Sequence, residues 1–155
     1  MYFEELHLGD RFASRPRLIT GTDIDNFAIS TGAVNPLFLD DKSAREMGFE
    51  ARIAPGLLTL SLAIGLVYSL GLLDHLTALV NVQVRFLAPM NAGDKLRCSV
   101  EILEKRETKR KDRGLITLKL NCHNQEDKEV MEVSQFVYLV QRKSQGERKE
   151  DKEIQ

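Results

Sequence analysis

The chain has no tryptophan, only two cysteines and four prolines, and almost no net charge, its 22 basic and 23 acidic side chains leaving a balance of −1. Each scarcity closes off a class. A near-neutral chain has no general pull on nucleic acid or on an anionic membrane. Cys98 and Cys122 each lie inside a strand-like stretch with no ligand partner at zinc-site spacing, so they read as two reduced core thiols rather than a disulfide framework or a metal centre. His7, His75 and His123 share no metal-ligand spacing either, and neither a metal nor a resident cofactor is expected. The stretch Met1–Asp10 carries Glu4, Glu5 and Asp10 and no apolar run behind a basic start, which does not fit a secretory signal and makes the cytoplasm the expected location.

What is present is ordinary in amount and informative in order. With 155 residues, 43% of them hydrophobic, the chain has the size and composition of one domain with one core. Asp10–Ile19 reads as a first strand leading into the turn Thr20-Gly21. Thr22 is placed to cap a helix through Ile24, Phe27 and Ala28, with Asp23 and Asp25 near its positive end and Gly32 as its stop. Pro36 forbids continuation through Asn35, and Asp40-Asp41 offer a cap for a short helix Lys42–Met47 closed by Gly48.

Ala54–Leu73 contains no charged residue, which is long enough for a membrane span to be considered. Pro55-Gly56 at its start, Gly65 and Gly71 within it, and the diluting Thr59, Ser61 and Ser69 favour a helix beginning near Gly56 and buried in a globular core. From Leu79 the period changes to two: Val80, Val82, Val84 and Phe86 alternate with Asn81, Gln83 and Arg85 until Pro89, a half-buried strand. Leu96–Ile102, Ile116–Cys122 and Val130–Val140 repeat the pattern, and the charge run Lys105–Arg113 reads as a solvated hairpin tip. The expected plan is α+β, one domain over 1–140, with a charged tail over 141–155 too polar to be held in place.

The segment Phe27-Ala28-Ile29-Ser30-Thr31-Gly32-Ala33-Val34-Asn35-Pro36-Leu37-Phe38-Leu39-Asp40 resembles the signature of the MaoC-like (R)-specific enoyl-CoA hydratases, S/T-G-D-x-N-P-[LIV]-H-x-D. Tyr2–Leu6 with Gly9-Asp10, Arg52–Leu57, and Arg85–Pro89 with Gly93-Asp94 are similar to further pieces of that family in the same order. The resemblance implies a hot-dog fold, an antiparallel sheet wrapped around a long central helix, and a homodimer, or a heterodimer with another hot-dog chain. It implies acyl thioesters of coenzyme A or acyl-carrier protein as ligands, with coenzyme A present only as part of the substrate. In active members the signature Asp and His hold and activate the water that adds to an enoyl thioester.

Here those two positions are Ala33 and Phe38, whose side chains neither accept nor donate a proton. The resemblance leaves Gly56 and Leu57, at the first turn of the central helix, together with Asn35 and Arg52 as candidate substrate contacts. Asp40 and Asn35 are the weak candidates for replacing the lost pair, although Asp40 is also a natural helix cap and Asn35 a natural turn former. Tyr68, Gln83 and Arg85 are further polar groups able to face a pocket. Three readings stay open: a hydratase or dehydratase with replacement residues, an acyl-thioester binding module or sensor, and a non-catalytic subunit of an active hot-dog partner. A thioesterase on the same fold is disfavoured because Ala54–Leu73 holds no carboxylate.

Overall fold

The computed structural model describes residues 1–144, 146 and 147. A single helical turn at Phe3–Glu5 precedes the short strands β1 (Arg11–Ala13) and β2 (Arg17–Leu18). Three helices follow, α1 (Gly21–Thr31), α2 (Pro36–Leu39) and α3 (Asp41–Glu46), and then the long α4 (Gly56–Ser69). The chain closes with β3 (Leu76–Phe86), β4 (Lys95–Glu107), β5 (Arg113–His123) and β6 (Glu129–Gln141). The strands form an antiparallel sheet in the order β1-β4-β5-β6-β3, with β2 also on β4.

The core lies between one face of this sheet and α4. Ile116, Leu118 and Leu120 of β5 and Phe136 and Tyr138 of β6 are buried with Leu58, Ala63, Leu66 and Val67 of the helix. Tyr138 enters this core without an unmet polar group, because its hydroxyl donates to the Leu72 carbonyl at 3.1 Å. Among the described residues no helix is long and apolar enough to cross a membrane.

Several local expectations need correction. The cap of α1 is Thr20 and not Thr22: its hydroxyl accepts from the Asp23 N–H at 3.1 Å, and the Asp23 carboxylate accepts from the Thr20 N–H at 2.9 Å. This reciprocal pair satisfies two donors at once, whereas Asp25, three residues after Thr22, is paired with Arg52 at 2.7 Å. Pro36 does not merely interrupt the chain. It opens α2 as that helix's first residue, where its missing N–H costs nothing.

The alternation in β3 is also imperfect. A bulge at Val80, which is left unpaired between Leu79 and Asn81, changes its phase, so Val80 is 53% exposed, and Phe86 at the strand's end is 48% exposed. Nor is the apolar α4 covered all round, since Leu57, Ser61, Gly65 and Tyr68 form an exposed stripe at helical spacing beside the unpaired edge of β3.

At the opposite end of the sheet, Lys105 is not part of a solvated tip. Its ammonium donates to the Leu6 carbonyl at 2.7 Å and stands over the Phe3 ring, with Arg142 near the same ring. Phe3 lies so close on Gly114 that a Cβ there would meet the ring at 2.2 Å. The tail is held farther than composition indicates. Gln141 completes β6, Arg142 pairs with Glu4 at 3.0 Å, and Lys143 pairs with Glu5 at 3.0 Å. The reason is that Glu4 and Glu5 offer acceptors beside the strand end, a tertiary pairing that composition does not encode. Residues 145 and 148–155 of the expected tail lie outside the described residues.

Candidate functional site

The signature-like segment is built from capped turns. Gly32 ends α1 with φ +75°, a left-handed conformation that suits glycine, and its N–H donates to the Ala28 carbonyl. The Ala33 N–H donates to Thr31 Oγ1 at 3.3 Å. The Asn35 side-chain oxygen accepts from the Leu37 N–H at 3.0 Å, so Asn35 caps α2. Phe38 is half-buried and packs against the core, and Ala33 is half-buried as well. The two positions thus belong to a shaped backbone that carries a methyl group and a phenyl ring.

Asp40 caps α3, accepting from the Ser43 hydroxyl and N–H and from the Lys42 N–H. These bonds, led by the Ser43 hydroxyl, hold its carboxyl below the usual aspartate range. A carboxylate fixed in its ionised form has no proton to give as a general acid near neutral pH.

Arg52 has a structural task. Its guanidinium pairs with Asp25 at 2.7 Å and lies against Gly21, where a Cβ would meet it at 2.3 Å. Its own N–H donates to the Asp41 carboxylate at 2.9 Å. Ile53 and Ala54 then donate to the Leu37 and Met90 carbonyls. Residues 52–54 therefore tie α1, α2, α3 and the turn after β3 together immediately before α4 begins.

At that beginning Pro55 holds the cap position and supplies no side-chain acceptor. The first turn of α4, where amides lack intrahelical partners and the helix dipole is positive, borders a hollow of about 330 Å³ lined by Ile53, Gly56, Thr59, Phe86 and Leu87. The Phe86 ring rests on Gly56, since a Cβ on that glycine would meet it at 3.0 Å. Farther along the same helix, Leu60, Ser61, Ile64 and Tyr68 of α4 and Leu79 and Val82 of β3 line an apolar groove of about 360 Å³. An uncapped helix start beside an apolar groove suits a ligand with a polarised carbonyl and a hydrocarbon tail.

Of the residues singled out from sequence, Gly56, Leu57 and Tyr68 fall on this side of α4. Gln83 and Arg85 are exposed on β3. His7 pairs with Asp10, His75 stacks on Tyr2 at 3.7 Å, and His123 ends β5, so the histidines serve separate places. Sequence reasoning missed the groove wall made by Leu60, Ile64, Leu79 and Val82. The signal was present as an i, i+4 stripe on α4 opposite a period-two strand, but only the packing shows that a space is left between them.

Residues 5–122 match the family model described as MaoC like domain. Protein MaoC of Klebsiella aerogenes is 31% identical over 113 residues, which is 73% of this chain and 33% of that protein. A 3-hydroxybutyryl-CoA dehydratase of Methylorubrum extorquens is 33% identical over 104 residues, 67% of this chain and 65% of the relative. The chain therefore spans a third to about two thirds of the length of these relatives. Among solved structures, a monoamine oxidase regulatory protein from Archaeoglobus fulgidus superposes with a TM-score of 0.83 at 32% identity, covering 93% of this chain and 96% of the other. A Mycobacterium tuberculosis protein described as a double hotdog fold superposes with a TM-score of 0.84 at 20% identity, over 94% of this chain and 45% of that one. The sheet and central helix described above are thus a hot-dog fold.

Proposed function

Since the chain belongs to the MaoC-like domain family, we propose that it binds acyl thioesters, of coenzyme A or acyl-carrier protein, and that it is impaired in the hydratase or dehydratase chemistry named for its relatives. One observation carries the reading: the backbone of the signature-like segment and the uncapped start of α4 are both kept, while Ala33 and Phe38 stand where a water would need an acid and a base. Gly56 and Leu57 are the proposed contacts for the thioester carbonyl, and the α4–β3 groove takes the acyl chain. Asn35 and Arg52 support the site by capping and clasping its walls. No resident cofactor enters this scheme.

A thermal-shift screen of coenzyme A thioesters tests the reading. A ligand at a hundred times its Kd stabilises the folded state by about 2.7 kcal/mol, a shift of several degrees. No shift with any thioester would remove the proposal. Affinity is also expected to rise with acyl length by about 0.8 kcal/mol per methylene buried, roughly fourfold in Kd, until the groove is full. Calorimetry over a series of chain lengths checks this, and a flat series would mean that the groove takes no chain.

The exposed stripe of α4 and the unpaired edge of β3 favour a second copy or another hot-dog chain as partner, because pairing removes an open strand edge and covers apolar helix at once. The purified chain is expected to be a dimer by light scattering at micromolar concentration. A monomer there would leave only the heterodimer, in which this chain serves as the non-catalytic subunit.

A further inference from the structure

We infer that Cys98 and Cys122 form a modification site, closing a disulfide across β4 and β5 on oxidation. The backbone sets the geometry. In an antiparallel ladder a residue's N–H and C=O point to the same side, so each residue bonds one neighbouring strand and not the other. The Cys98 N–H donates to Ser14 Oγ at 2.9 Å and its carbonyl accepts from the Ser14 N–H at 2.8 Å, so both face the β1 side. Toward β5, where it is in register with Cys122, Cys98 therefore makes the non-hydrogen-bonded kind of pair. In such pairs the Cα atoms approach to about 4.5 Å and the side chains come closest, within the roughly 4.4–6.8 Å that a disulfide spans. Both side chains are buried, and their sulfurs are 2.6 Å apart.

The contact with Cys98 and the burial both push the Cys122 thiol up. Bulky reagents therefore find these thiols closed and unreactive, and the oxidant that fits is a small hydroperoxide such as hydrogen peroxide. The Cys98 sulfur attacks a peroxide oxygen, the O–O bond breaks, and one water leaves behind a sulfenic acid. The Cys122 sulfur then attacks the Cys98 sulfur, the S–O bond breaks, and a second water leaves. Both thiol hydrogens end in the waters, and the two electrons lost by the sulfur pair reduce the peroxide.

The test treats the full chain with hydrogen peroxide, denatures it, alkylates it and weighs it. The expected product is lighter by two hydrogens, is not alkylated, and yields tryptic peptides 98–105 and 120–128 joined to each other. Its melting temperature should be several degrees above that of the reduced chain, because the bond constrains the unfolded state, and dithiothreitol should reverse the rise. Cys122→Ala should show no peroxide-dependent rise. Alkylation of both cysteines after peroxide, or their conversion to sulfinic or sulfonic acids without the joined peptides, would overturn the assignment.

Discussion

Ala33→Asp combined with Phe38→His is expected to hydrate crotonyl-CoA measurably, whereas the wild-type chain and either single variant leave it nearly untouched. The backbone that would aim the new groups is in place: the left-handed Gly32, the Asn35 cap, Pro36 at the head of α2, and Asp40 at the head of α3. Positioned acid–base groups are typically worth about 10²- to 10⁴-fold each, and a pair that holds one water acts as a unit. The double variant should therefore exceed either single variant by about 10²-fold or more. Phe38 is half-buried against the core, so two ring nitrogens there will lower stability unless the new aspartate or a water satisfies them. The measurement is loss of enoyl-thioester absorbance for all four proteins, with circular dichroism to show that each is folded. Robust wild-type turnover would overturn the reading of the site. A folded double variant no better than the singles would mean that the segment no longer faces the thioester.

Asp23→Ala is expected to lower stability by about 2 kcal/mol, a fall in melting temperature of roughly 4–8 °C for a chain of this size. Arg17 holds both oxygens of this carboxylate, at 3.0 and 3.1 Å, and Thr20 adds its N–H. Chiefly through Arg17 these bonds bring the Asp23 pKa from 3.8 down to about 2. The shift sets an upper bound of about 2.4 kcal/mol, reduced because the Arg17 side chain is 37% exposed and partly screened. The sign follows from the depressed pKa. The contribution is complete above the unfolded value of 3.8 and is lost as pH falls through about 2. The gap between wild type and variant should therefore be widest near neutral pH and narrow from about pH 4 downward. A gap that does not change with pH would show that the charge on the Asp23 carboxylate carries none of the loss.

The long elements were legible because their signals are periodic or compositional. A charge-free run announced α4, and alternation announced β3 to β6, with ends misplaced by a few residues where strands extend into polar sequence such as Glu104–Glu107. Elements set by single hydrogen bonds were not. Thr20 and Thr22 are equally good caps by residue type, and each has an aspartate three residues on, Asp23 and Asp25, so only the hydrogen bonds of the folded chain separate them. Arg52 read as a candidate substrate contact because its partner, Asp25, lies 27 residues away in α1. The exposed stripe of α4 was hidden for the opposite reason: a helix apolar on every side looks the same in sequence whether its own sheet or another chain covers the last face. The proposed loss of an Asp–His pair rests on the signature-like segment alone, while the groove between α4 and β3 depends on tertiary packing that sequence does not encode.

The order of elements also fixes a sequence of events during synthesis. The most apolar segment, α4, is complete at Ser69, yet the strands that bury it, β4 to β6, end only at Gln141. About seventy further residues must be made before the helix has its sheet, roughly 4–15 s at ordinary translation rates of about 5–20 residues per second. Throughout that interval the nascent chain carries a charge-free apolar segment without the sheet that buries it, the kind of transiently exposed surface that favours aggregation.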